Sequence, residues 1–154
     1  MQIFRVDENH IISARFLDNR RLSKQVLELY QIIRVCLAEM GIINTNTRYL
    51  SHPIVKLVYN NGTPYLLDAL SLLKAFDQEH QRRGGKRSES FNRDLAALET
   101  TILKNKARFE HSSLPPYFVY GEKKVSGREA YDCYKSLLYE KWNNDKIPPR
   151  CNIT

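Results

Sequence analysis

Between Leu22 and Met40 the apolar residues recur at intervals of three and four: Leu22, Val26, Leu29, Ile33, Leu37 and Met40. At about 100° per residue this spacing draws one stripe along a helix, and Gly41 follows where a C-terminal cap belongs. A long helix with a single apolar stripe folds only by burying that stripe against a partner of the same kind. The chain supplies such partners. Thr63-Pro64 reads as an N-cap followed by a first-turn proline, and Leu66, Ala69, Leu70, Leu73 and Phe76 then mark one face until Gly84-Gly85. From Ser88 to about Phe109, the residues Phe91, Leu95, Leu98, Ile102 and Phe109 keep helical spacing. Ser126-Gly127-Arg128-Glu129 reads as a capping box opening a fourth helix near Gly127, with Tyr131, Tyr134, Leu137, Leu138 and Trp142 along it.

These patterns predict an all-α fold: a single compact domain over residues 1–154, with about four main helices and short connections. A chain of 154 residues is long enough for one core and short for two. There are no repeats and no convincing alternating strands, so no sheet is required. Residues 1–17 fit either an extended arm or a short helix. Pro148-Pro149 stop the last helix and leave Arg150–Thr154 as a tail.

Charge narrows the function. The chain carries 24 Lys and Arg against 17 Asp and Glu, a net charge of +7, which makes a polyanion the first partner to consider. No apolar run approaches the roughly 20 residues that span a bilayer, and MQIFRVDENH lacks the basic start and apolar stretch of a signal peptide. The expected setting is the cytoplasm, without a membrane partner. Cys36, Cys133 and Cys151 are not spaced as zinc ligands, and are expected as reduced thiols. His10, His52, His80 and His111 are scattered, and no HExxH, CxxC, Walker loop or GxGxxG is present, so neither a metal ion nor a cofactor is expected.

Three groups of residues suit a polyanion. On a helical wheel Arg21, Lys24, Gln25, Glu28 and Gln31 fall together, opposite the apolar stripe. That face is either solvated, with Lys24 and Glu28 paired at i, i+4, or a site with one carboxylate among cations. Arg82, Arg83, Lys86 and Arg87 surround the Gly84-Gly85 turn, which suits phosphate contacts or simply a soluble loop. Tyr117, Phe118, Tyr120, Lys123 and Lys124 mix aromatic rings with cations, as stacking on bases and pairing with phosphates require. In the following helix, Tyr131, Tyr134, Leu138 and Trp142 are spaced as core.

Three stretches resemble the phage-type pyrimidine-dimer DNA glycosylase family, the endonuclease V type. They are FLDNRRLSKQVLEL at Phe16–Leu29, SHPIVKLVYNNGTPYLLDALSLLKAFDQEHQRRG at Ser51–Gly84, and KWNNDKIPPR at Lys141–Arg150. The resemblance implies a metal-independent DNA glycosylase with abasic-site lyase activity on duplex DNA carrying cyclobutane pyrimidine dimers, acting as a monomer. Its nucleophile would be the amino-terminal amine. An α-amine ordinarily titrates near 7.7–8 against about 10.4 for lysine, which leaves a usable neutral fraction at physiological pH. Residue 2 is Gln, whose bulk disfavours removal of the initiator, so Met1 would present the amine. Glu28 would be the essential carboxylate, flanked by Leu27 and Leu29 where the family pattern places arginines. Arg5, Arg20, Arg21, Lys24 and Gln25 would hold the DNA around it, and the 82–87 loop with Lys123 and Lys124 would clamp the bent duplex. The other reading of the same residues is a non-catalytic, basic helical nucleic-acid-binding protein, with Glu28 merely balancing charge.

Overall fold

The computed structural model describes residues 1–149 and places the apolar stripe at the centre of the molecule. Helix α2 (Asn19–Glu39) begins at Asp18, whose carboxylate accepts the Arg21 N–H at 3.2 Å. It ends as the Gly41 spacing predicts. Gly41 lies at φ +74°, and the Ile42 N–H returns to the Leu37 carbonyl at 3.0 Å. Leu22, Val26, Leu29, Ile32, Ile33, Cys36 and Leu37 are fully buried along it. Its main partner is α4 (Leu66–Arg82), with Ala69, Leu72 and Phe76 facing inward, and α1 (His10–Phe16) crosses α4. Among the described residues, six α-helices, two single-turn 3-10 helices and one two-stranded sheet make this a mostly all-α architecture. No helix among the described residues is long and apolar enough to cross a membrane.

The chain's beginning uses both conformations open to it: residues 1–9 form an arm, and α1 follows from the Asn9 cap. Ile3, Phe4 and Val6 of the arm are buried. A short helix, α3 (Pro53–Tyr59), has too few residues to register as a period. It is capped by His52, whose Nδ1 accepts the Ile54 N–H at 3.1 Å.

Thr63 does not cap α4. The Tyr65 N–H donates to the Val58 carbonyl at 2.9 Å and the Pro64 carbonyl accepts from Glu110 at 2.9 Å, so this stretch docks α3 and the later chain before the helix starts at Leu66. Helix α5 (Glu89–Lys104) is capped by Ser88 but stops before Phe109. Asn105 closes it by donating from its side chain to the Thr101 carbonyl at 2.8 Å, and Phe109 is buried in extended backbone.

Strands β1 (Tyr117–Tyr120) and β2 (Lys123–Ser126) form an antiparallel hairpin, in register from Tyr117↔Ser126 to Tyr120↔Lys123, where no strand was predicted. The reason is legible in its burial. Phe118 and Val119 are both inside, so the short strand shows no alternation. Ser126 sits in β2 and therefore cannot cap α6 (Glu129–Asn144), which begins two residues later than the sequence pattern suggests. Tyr131, Tyr134, Leu137 and Leu138 are buried, as their spacing predicts. Tyr134 packs edge-on against Phe4 and Phe118, with centroids at 5.5 and 4.8 Å, and its hydroxyl donates to the Tyr117 carbonyl at 2.9 Å. The tail at Arg150–Thr154, with Cys151, lies outside the described residues.

Candidate active site

The face of α2 opposite its long stripe is solvated at Lys24 and Gln31 but covered at Gln25, where the amino-terminal arm lies on it. Gln25 is 1% exposed and holds the arm with both ends of its amide. Its Oε1 accepts the Phe4 N–H at 2.7 Å and its Nε2 donates to the Gln2 carbonyl at 2.9 Å. Replacing it would strand a buried N–H, which is why a polar residue occupies this place.

Glu28 stands nearly one turn further along α2, its side chain 20% exposed. With Gln2, Phe4, Arg21, Lys24, Gln25 and Lys141 it lines a cleft of about 80 Å³. One carboxylate thus faces three cations. Lys24 Nζ lies 3.7 Å from Glu28 Oε1, the i, i+4 pair seen in the sequence. Arg21 is committed elsewhere, to Asp18 at 3.2 Å and Asp145 at 2.9 Å. The Trp142 indole also donates to Asp18 at 2.8 Å. These contacts bring the end of α6, and with it Lys141, to the start of α2.

His52 caps α3, and sequence reasoning gave it no role. Burial holds its imidazole below the usual histidine value, the positive amino terminus lowers it further, and Glu28 opposes both. The available signal was local: a histidine directly before Pro53 at a helix start, its Nδ1 occupied by the cap.

The other predicted cations divide into two sets. Arg5 is buried, donates to the Leu114 carbonyl at 2.7 Å and stands 5.7 Å from the Tyr131 ring centroid. Arg82 and Arg83 both grip Glu79, Arg82 with contacts of 2.7 Å from Nε and Nη2, Arg83 with one of 2.6 Å. Arg83 also donates to the Leu17 carbonyl at 2.7 Å and to Asn19 at 2.8 Å, binding α4 to the α1–α2 junction. Arg87 donates to the Ser23 carbonyl at 2.8 Å and lies 5.6 Å from the Phe91 ring centroid. Arg5, Arg83 and Arg87 thus serve the interior of the fold. Lys24, Lys86, Lys123 and Lys124 are exposed, as is Arg20, which reaches Asp145 at 3.4 Å. Among the described residues, no three His, Cys, Asp or Glu side chains come together as a metal site.

The family model described as pyrimidine dimer DNA glycosylase matches residues 1–93. The chain belongs to that family, a class of DNA-repair glycosylases whose substrate is DNA. The matched part holds the arm, α1 to α4 and Glu28, while the hairpin and α6 lie beyond it. No curated protein and no solved structure matches the chain.

Proposed function

We propose that this protein excises cyclobutane pyrimidine dimers from duplex DNA and then cleaves the strand, using the Met1 amine as nucleophile and Glu28 as its carboxylate partner. The observation that carries the reading is the Gln25 clamp, which lays the start of the chain against the cleft holding Glu28.

The chemistry follows from that pairing. The neutral amine attacks C1′ of the damaged nucleotide, the glycosidic bond breaks, and the base leaves with the bonding pair. Positive charge developing on the sugar would be stabilised by the Glu28 carboxylate. Loss of a proton and opening of the sugar ring give an imine between Met1 and C1′. A proton then leaves C2′, the C3′–O bond breaks, and the 3′ phosphate departs. Water hydrolyses the imine and restores the amine. Glu28 and solvent would carry the proton transfers. The amine reaches C1′ only when the duplex is bent and a nucleotide extruded, and the exposed Lys24, Lys123 and Lys124 would hold phosphates during that distortion.

The test is incision of a duplex carrying one cyclobutane dimer. Glu28→Gln should lose at least about a hundredfold in single-turnover rate while binding the same duplex as tightly as the wild type, or more tightly. An unchanged rate removes Glu28 from the chemistry. Tight binding without incision by the wild-type protein would instead favour the non-catalytic, nucleic-acid-binding reading.

A further inference from the structure

We propose that the β1–β2 hairpin is a wedge that inserts Tyr120 into the distorted duplex, its ring stacking on the base exposed when a nucleotide moves toward Glu28. This rests on the proposed function for its location, and it assigns a role to a part of the chain beyond residues 1–93.

Two contacts fasten the hairpin to the site. Gln2 donates from its side chain to the Val119 carbonyl at 3.4 Å, next to the residue that presents the amine. Lys141, which lines the Glu28 cleft, places its Nζ 5.3 Å from the centre of the Tyr120 ring. The hairpin root is firm. Phe118 and Val119 are buried, and Tyr134 holds the Tyr117 carbonyl. Its tip is a tight two-residue turn at Gly121-Glu122, with Gly121 at φ +59°.

Tyr120 itself is 47% exposed, although Phe118, two residues earlier, is buried to 4%. An aromatic ring left half in water, beside an ammonium that belongs to the reaction cleft, has a surface suited to a base. Bases of any sequence offer a π-face, and wedge side chains that enter a base step kink the duplex in the way extrusion requires. Lys123 and Lys124 follow the turn on the same hairpin, where flanking phosphates would pass.

The experiment places 2-aminopurine beside an abasic-site analogue in duplex DNA and follows its emission on binding, together with cleavage of abasic duplex and abasic single strands. Wild-type protein should lower the emission, because a ring stacked on 2-aminopurine quenches it. Tyr120→Ala should abolish that fall and slow duplex cleavage about tenfold, with single-strand cleavage unchanged because no stack has to be opened. Tyr120→Trp should restore both duplex readouts, which a merely structural ring would not do. The proposal is overturned if Tyr120→Ala matches the wild type on duplex, if it slows single strands equally, or if wild-type protein leaves the emission unchanged. Emission that depends on Tyr120 in a protein that forms no adduct at Met1 would keep the wedge and remove the catalytic reading.

Discussion

The Gln25 side-chain amide donates to the Gln2 carbonyl at 2.9 Å while accepting the Phe4 N–H at 2.7 Å, so one buried residue of α2 fixes where the chain begins. Glu28 lies three positions further along the same helix, and the two residues share one cleft. Gln25→Leu removes both bonds and leaves a buried N–H unpaired. It should cost about 1–3 kcal/mol of stability. Glycosylase and lyase rates should fall together in this variant, because the amine loses its position. Urea denaturation and single-turnover incision measure the two effects.

Glu79 organises the basic turn from within. Hydrogen bonding from Arg82, followed by that from Arg83, holds its carboxyl below the ordinary value of 4.5. Since the folded value is depressed, its stabilising effect is complete above the unfolded value and is lost as pH falls through the folded one. Glu79→Gln should destabilise the protein by about 2–4 kcal/mol at neutral pH, with Arg83 left buried, and should flatten the loss of stability below about pH 4.5. Chemical denaturation across acidic pH checks this.

His52 titrates in the opposite sense. Its folded value is lowered from 6.5, first by burial and then by the amino terminus, so the unfolded chain takes up the proton first as pH falls. Stability from this residue is present above the unfolded value and declines below it. His80, lowered by burial and by Arg87, adds to the same slope. His52→Asn retains a capping acceptor for Ile54 and should match the wild type at pH 8 within about 0.5 kcal/mol. Its stability should fall less between about pH 7 and 5, and an NMR titration of the wild type should place the His52 midpoint below 6.5.

The exposed lysines answer to salt rather than to denaturant. Lys123→Ala and Lys124→Ala should each reduce the slope of log affinity against log salt by about 1 if each contacts a phosphate. Neither should shift the melting temperature. Arg83→Ala should do the reverse, lowering stability, since its guanidinium already serves Glu79, Leu17 and Asn19.

What the sequence revealed follows the length scale of each signal. The stripe from Leu22 to Met40 spans several turns, and α2 is found between the Asp18 cap and Gly41, where that pattern places it. α3 and the hairpin are short, and strand β1 buries two consecutive residues, so periodicity has nothing to act on. The candidate site divides in the same way. Glu28, Lys24 and Arg21 share a helical face, and that grouping survives in the cleft. The cover over that face is a tertiary event, made by an arm 21 residues away in sequence, and it turned Gln25 from a surface residue into a buried clamp. Arginines were the least legible. Nothing in RRGGKR separates a cation meant for phosphate from one such as Arg83, which completes the backbone of a neighbouring helix junction.

Catalysis through the amino-terminal amine of Met1 leaves an imine that borohydride traps. Abasic duplex DNA is incubated with the protein, borohydride reduces any imine, and peptide mass spectrometry locates the adduct. A covalent adduct is expected on the Met1 α-nitrogen, lost when that amine is acetylated. An adduct mapped to Lys24 would contradict it and transfer the nucleophile to α2; tight binding with no adduct at any nitrogen would contradict the imine itself.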